Sequence, residues 1–408
     1  MNKKKNILPS TIGTVLEYYD FTLYGAFAPI IATYYFSEEQ KSNLVLVTYF
    51  LSFLVRPIGA LIFGYIGDIY GRKNAFGMPL ILMAVFTLGI AFIPPYESIG
   101  IISSVLLIIC RLGQGLCLGG EFGGAIVFGL EHNKKNLGIV SGLIGGAVLF
   151  GSFLGNFISY ILTLDFLPND LNLWKGAFIL GAVIGLIGIW VRNKAYETPE
   201  FISISKKQSF PILIISKNYK LPFIKAIVCS GLNGFLGSFS FVYINFFLVN
   251  NLNWPINLSL FIILLGHSIA LLVALITGYL VQKIKPEKLI ILCCCYLIII
   301  IIPILLALKN NEFFMIVISM ITISIATGIG WGSVNLFLYK LFLPEIRYTG
   351  VAVGDSLGRI IFSAPVPLIC NIIFTNFGLL YISGMVFIFC LIIVILLTIF
   401  VNNSLGIK

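Results

Sequence analysis

Long apolar runs separated by short polar breaks repeat along nearly the whole chain. About 20 apolar residues in a helix cross the roughly 30 Å hydrocarbon core of a bilayer. Runs of this kind predict twelve spans, at approximately 12–36, 43–66, 75–94, 99–130, 137–164, 174–191, 223–249, 257–281, 289–308, 313–341, 348–376 and 379–401. The pattern therefore predicts an all-α membrane protein. Composition agrees: of 408 residues, 59% are hydrophobic and only 10% charged, far from a soluble globular chain. The net charge of +10 comes from basic residues scattered in short loops, with no basic face or aromatic-basic module, so no nucleic-acid partner is expected. The start, MNKKKNILPS, has the basic end of a signal peptide, but no small-residue cleavage site follows and the segment is expected to be retained.

With a cytoplasmic N-terminus, 20 Lys and Arg fall on the inner side, three outside (Lys41, Lys175, Lys309) and three within spans (Arg56, Arg111, Arg359), which accounts for all 26. This asymmetry places both termini in the cytoplasm. The longest polar interruption divides the chain into an N-terminal six-helix bundle (1–191), a cytoplasmic linker (192–222) and a C-terminal six-helix bundle (223–408). A weak internal repeat supports the division: GYIGDIYGRKN at 64–74 aligns with GYLVQKIKPEK at 278–288, and 138–146 aligns with 350–358. Two halves related by a parallel repeat imply a cleft between bundles and alternating access to it.

The stretch 56–73, RPIGALIFGYIGDIYGRK, ends an apolar helix in Gly64, Gly67, Asp68, Gly71, Arg72 and Lys73. Gly64 and Gly67 permit two helices to approach closely, and Gly71 permits a tight reversal. Asp68 precedes the next apolar run, where a carboxylate suits the open N–H groups of a starting helix, and Arg72 and Lys73 suit the cytoplasmic surface. Gly64, Asp68, Gly71, Arg72 and Lys73 are the candidate gating loop; the plainer reading is a short basic turn between two spans.

A charge at the bilayer centre costs on the order of 3 kcal/mol on insertion scales, so each one needs a partner or a role. In span 1, Glu17, Asp20 and Tyr24 are spaced three and four apart and share one helix face. In span 4, Arg111, Gln114, Leu118 and Glu121 fall within an arc of about 80°. Arg111 and Glu121 are about 15 Å apart along the axis, too far to neutralise each other, and the span 1 carboxylates are the expected partners of both. Asp355 and Arg359 in span 11 stand at i,i+4 in the favourable order and are able to satisfy each other. Arg56, before Pro57, reads as structural. Span 10 presents Trp331, Asn335 and Tyr339 on one face, with Asn335 the candidate polar contact, and the glycines of span 5 read as close helix packing. The candidate substrate and proton path is thus Glu17, Asp20, Tyr24, Arg111, Gln114, Glu121, Asn335, Asp355 and Arg359.

No enzyme reading emerges. Gly354-Asp355-Ser356-Leu357-Gly358 matches G-x-S-x-G, but lies inside an apolar helical run with no nearby histidine to act as base. There is no H-E-x-x-H, no Walker loop and no soluble domain large enough for ATP. The eight cysteines all fall in apolar runs without metal-ligand spacing and read as packing residues. Neither a metal nor an organic cofactor is expected.

Several stretches together resemble the major facilitator superfamily, and within it the metabolite:proton symporter family that includes the proline/betaine and α-ketoglutarate transporters. They are GTVLEYYDFTLYG at 13–25, GYIGDIYGRK at 64–73, RLGQGLCLGGEFGGA at 111–125, Glu197-Thr198-Pro199-Glu200-Phe201, and LPEIRYTGVAVG at 343–354. The resemblance implies two six-helix bundles and symport driven by the proton gradient. It also implies Glu17 and Asp20 in the proton and substrate path, Arg111 and Glu121 on a cavity-lining helix, and Asp68, Gly71 and Arg72 at a cytoplasmic gate. Ile69 departs from the family loop, where a basic residue is usual. The expectation is a monomeric, proton-coupled importer of a small organic solute in a bacterial inner membrane. A facilitator or exchanger of the same fold, or a receptor that binds without transporting, are the alternatives.

Overall fold

The computed structural model describes residues 8–37, 41–162, 173–193, 195–204 and 210–398. The expected ends of spans 5 and 12, at 163–164 and 399–401, and residues 194 and 205–209 of the expected linker lie outside the described residues. Among the described residues there are helices and no strands, and eleven helical stretches are long and apolar enough to cross a membrane. The remaining predicted span, the first, forms two helices, α1 (Leu8–Ala26) and α2 (Ala28–Tyr35), its apolar character interrupted by Glu17 and Asp20.

Proline divides other spans that sequence pattern predicts as continuous. Span 2 is α3 (Lys41–Leu54) and α4 (Arg56–Ile69), broken at Val55 because Pro57 lacks an N–H and its ring excludes the preceding turn. Span 11 is α14 (Arg347–Phe362) and α15 (Val366–Phe377), broken ahead of Val366 at Pro365. Between them the chain runs through α5 (Arg72–Phe92), α6 (Ile101–His132), α7 (Leu137–Leu162), α8 (Leu173–Asn193), α9 (Lys220–Gly237), α10 (Ile244–Asn250), α11 (Ile256–Leu280), α12 (Pro286–Asn310) and α13 (Phe313–Lys340). The last helix among the described residues is α16 (Ile382–Thr398). A π-helical segment, Ser238–Tyr243, joins α9 to α10.

The helices form two compact units. The first comprises Met1–Lys135, Ala147–Tyr219 and Phe342–Leu357. Its centre is α6, which packs on α1, α3, α4 and α5. Close approach to α4 is possible because Gly119 has no side chain: a Cβ there would collide with the Arg56 carbonyl and the Ala60 nitrogen. At one end Tyr19, Leu23, Tyr24, Phe27, Tyr35, Trp174 and Phe178 build an aromatic-rich core.

The second unit comprises Asn136–Gly146, Lys220–Leu341 and Gly358–Lys408. Here α13 packs on α11 and α12. The start of α7 is also in this unit. The Ser141 hydroxyl bonds one turn of α13, accepting from Leu336 N–H at 3.1 Å and donating to Gly332 C=O at 2.8 Å.

Candidate functional site

The charged faces read from the sequence come together inside the first unit. Asp20, Arg111 and Gln114 are all buried. The Gln114 Nε2 donates to Asp20 Oδ2 at 2.5 Å and to Thr87 Oγ1 at 3.0 Å, while its Oε1 accepts from Arg111 Nη1 at 2.9 Å. The Arg111 guanidinium stacks over the Tyr24 ring, 3.8 Å from its centroid. Spacing explains the convergence: Asp20 and Tyr24 are one turn apart on α1, and Arg111 and Gln114 are one turn apart on α6. The second carboxylate oxygen of Asp20, Oδ1, is buried and accepts no hydrogen bond.

The span 1 carboxylates do not serve both charges of α6 as expected. Glu17 pairs instead with Arg56 of α4, at 3.4 Å. Glu121 pairs with Arg192, a residue that reads as loop in the sequence but sits buried in the last turn of α8. All three nitrogens of that guanidinium are engaged. It bonds both Glu121 oxygens, donates to the Phe76 carbonyl at 2.5 Å and the Pro9 carbonyl at 3.3 Å, and stacks 3.6 Å over Phe76. Such geometry offsets the desolvation of a buried ion pair and ties four segments together.

A second charge cluster, also in the first unit, surrounds the 64–73 stretch. Asp68 caps a helix, but not the one that follows it: its oxygens accept from Tyr348 N–H at 3.1 Å and Thr349 N–H at 2.9 Å, in the first turn of α14. The next helix, α5, is capped by Glu197, which accepts from the N–H groups of Arg72 and Lys73. Gly71 supplies the reversal with φ +120°, a conformation that disfavours a side chain. Gly64 and Gly67 let α14 approach, since a Cβ would meet Thr349 and the Tyr348 ring respectively.

Arg72 is not at the surface as expected but completely buried. It bonds Asp68, the Gly67 carbonyl at 2.7 Å and the Pro344 carbonyl, and lies 3.5 Å from Glu131. From there the charges alternate: Glu131 also accepts from Arg347 at 3.1 Å and from Thr198 at 2.5 Å, Arg347 bonds Glu200, and Glu200 pairs with Lys134 at 2.9 Å. Three acids and three bases thus neutralise one another in a row, which is why an arginine survives there without solvent.

Of the remaining candidates, Arg359 stacks over Trp331 in the second unit, 5.1 Å from its centroid. Asn335 donates to the carbonyls of Ser141 at 3.2 Å and Trp331 at 3.0 Å, so its amide nitrogen serves helix packing. Asp355 is buried in α14. Glu131, Arg192 and Arg347 were not among the sequence candidates. Glu131 stands beside His132, Lys134 and Lys135 and reads as the solvated end of a span, whereas Glu197, Glu200 and Arg347 lie within the motifs quoted above.

The Major Facilitator Superfamily profile matches residues 10–364, and the chain belongs to that superfamily. A putative metabolite transport protein of Haemophilus influenzae is 34% identical over 241 residues, an alignment covering 56% of this chain and 54% of that protein. A putative proline/betaine transporter of Staphylococcus aureus is 28% identical over 390 residues, covering 92% of this chain and 83% of that one. Among solved structures, the proton:xylose symporter XylE superposes with a TM-score of 0.80 at 16% identity, covering 98% of this chain and 95% of XylE. That likeness carries the fold, the twelve-helix major facilitator fold. The chain is accordingly an integral membrane transporter of small-molecule solutes and not an enzyme.

Proposed function

We propose that the protein is a proton-coupled symporter that imports a small organic solute by alternating access, the solute being a proline/betaine-type osmolyte or a carboxylate metabolite. One observation carries the reading: a buried carboxylate with an open oxygen, Asp20, joined through a single amide to a buried guanidinium, Arg111. A carboxylate that gains and loses a proton next to a fixed cation is the minimum apparatus for coupling the entry of a proton to that of a substrate anion. Asp20 takes the proton and Arg111 holds the carboxylate of the solute. Glu17, Tyr24 and Gln114 shape the same face, while Glu121 holds the bundle through Arg192. Asn335, Asp355 and Arg359 are further members of the proposed substrate path.

The names of the metabolite and proline/betaine relatives support the solute class, and the neighbouring proton:xylose symporter supports the coupling ion. The cluster at Gly64, Asp68, Gly71, Arg72 and Lys73 acts as the gate, and the Lys and Arg distribution puts it on the cytoplasmic side with both termini. The proton gradient is the energy source, no cofactor takes part, and the unit of function is a monomer in an inner membrane.

Uptake of labelled proline, glycine betaine, α-ketoglutarate and citrate into proteoliposomes under an inward proton gradient tests the proposal. Accumulation of one solute that a protonophore abolishes is the expected result. Protonophore-insensitive equilibration would make the protein a facilitator, and saturable binding with no entry would make it a receptor.

A further inference from the structure

We infer that Tyr34, Tyr35 and Trp174 form a binding site for a methylated ammonium group, with Lys175 as its resident cation. The site shares no residue with the Asp20 and Arg111 cluster, and its occupancy is measurable without transport.

Two segments of the first unit build it. Tyr34 and Tyr35 close α2, and Trp174 and Lys175 stand at the start of α8. Span 1 ends and span 6 begins on the same side of the membrane, the side that the Lys and Arg distribution makes the outer one. The three rings stand nearly at right angles to one another, like the walls of a corner. Tyr34 and Tyr35 meet at 79° with centroids 4.9 Å apart, Tyr34 and Trp174 at 75° and 5.4 Å, and Tyr35 and Trp174 at 83° and 5.8 Å. Two of the walls are fixed. Tyr35 is fully buried: its hydroxyl donates to the Ile90 carbonyl at 2.6 Å, and its own carbonyl accepts from the Ser104 hydroxyl at 2.6 Å. Trp174 is buried against Phe178 in an edge-on contact. Tyr34 and Lys175 are half-buried, so the corner opens on their side.

The corner already holds a cation. The Lys175 ammonium lies 4.3 Å from the Tyr34 ring centroid and 5.7 Å from that of Trp174, and it donates to the Tyr34 hydroxyl at 2.6 Å. These are the contacts of a cation attracted by ring quadrupoles. Among the described residues it has no carboxylate partner.

Hydration decides which cation the corner prefers. A lysine ammonium is compact and strongly hydrated, so exchanging water for rings and one phenol gains it little. A methylated ammonium is weakly hydrated and has few or no N–H groups to satisfy, and aromatic walls around it replace its shell well. Withdrawal of the flexible lysine stem frees the space of its ammonium and last methylenes. The two cations exclude each other by volume and by charge, so Lys175 is a built-in competitor. Glycine betaine carries such a head group, and proline does not.

Binding is measured directly. The full chain carrying 5-fluorotryptophan is placed in nanodiscs whose lipid lacks choline head groups, and fluorine spectra follow its four tryptophans, Trp174, Trp190, Trp254 and Trp331. Trp174→Phe assigns the Trp174 resonance. Tetramethylammonium chloride and choline chloride should each shift that resonance saturably. Sodium chloride at equal ionic strength should not, nor should dimethylbutanol, the uncharged carbon isostere of choline. Lys175→Met should tighten binding about twofold to fivefold, the scale of one cation–π contact at a partly exposed site, and Tyr34→Leu should weaken it by at least as much. Lys175→Arg, whose guanidinium stacks on rings more firmly, should weaken binding and keeps the comparison decisive if the Met variant does not fold. A second preparation with phosphatidylcholine in the nanodisc and no added solute separates the two sources of the head group: a Trp174 shift there alone would assign the site to lipid. An equal shift by the uncharged isostere, unchanged affinity in the Lys175 variants, or a shift confined to another tryptophan would overturn the site. No shift in either preparation would also overturn it, and would leave proton-coupled transport standing.

Discussion

Thr349 and Asp68 are 281 positions apart in the chain, and the Thr349 N–H donates to the Asp68 carboxylate at 2.9 Å. The carboxylate thus caps a helix from the other end of the sequence, while Arg72 of its own loop neutralises it. A loop built this way is a latch: it holds the start of α14 by charge and by N–H groups that have no partner within the helix.

If the latch is the gate, Asp68→Asn should slow turnover roughly tenfold, the scale of one weakened charge-assisted hydrogen bond. Substrate affinity should stay within about twofold, since binding does not depend on that bond. Transport kinetics in proteoliposomes decide it; unaltered turnover would discard the gate assignment.

Removing one member of the Glu121 and Arg192 pair leaves a buried charge without compensation. Arg192→Met should destabilise the protein by about 3–5 kcal/mol, and adding Glu121→Leu should recover most of that loss. Thermal unfolding in detergent measures both. A double variant no more stable than the single one would show that the cost comes from packing around Phe76 and not from the stranded carboxylate.

The close approach of α4 and α6 depends on Gly119. Gly119→Ala would place a methyl against the Arg56 backbone and should cost about 1–3 kcal/mol, the range for overpacking. Gly77→Ala, where nothing lies within 4 Å of an added Cβ, should be neutral or mildly stabilising. Equal Tm shifts for the two substitutions would refute the packing argument.

The Ser141 hydroxyl bonds both Leu336 N–H and Gly332 C=O of α13, so Ser141→Ala removes two contacts between α7 and α13. Stability should fall by about 1–2 kcal/mol, the scale of one or two lost hydrogen bonds. Hydrogen exchange at Leu336 should quicken. Unchanged exchange and stability would show that the hydroxyl contributes nothing to this contact.

Much of this was legible in the apolar pattern and the helical spacing. Span lengths follow from hydrocarbon thickness, and the i, i+3 and i, i+4 spacing put Asp20, Tyr24, Arg111 and Gln114 on faces that meet. Partner choice was not legible, because it depends on which helices adjoin. Arg192 follows an apolar run and reads as a loop cation, yet α8 continues long enough to bury it against Glu121. Arg72 reads as surface, because nothing local in its loop reveals that Glu131 and the Pro344 carbonyl lie beside it. The breaks at Val55 and ahead of Val366 were foreshadowed by Pro57 and Pro365, whereas the Ser141 contact with α13 has no local signal at all.

The most direct test of the account compares Asp20→Asn with the unaltered protein in proteoliposomes, measuring gradient-driven accumulation and solute counterflow in parallel for proline, glycine betaine, α-ketoglutarate and citrate. The account predicts that Asp20→Asn loses accumulation while keeping counterflow of the solute that the unaltered protein carries. Equal loss of both in a folded variant, or accumulation that persists, would contradict Asp20 as the site of proton coupling.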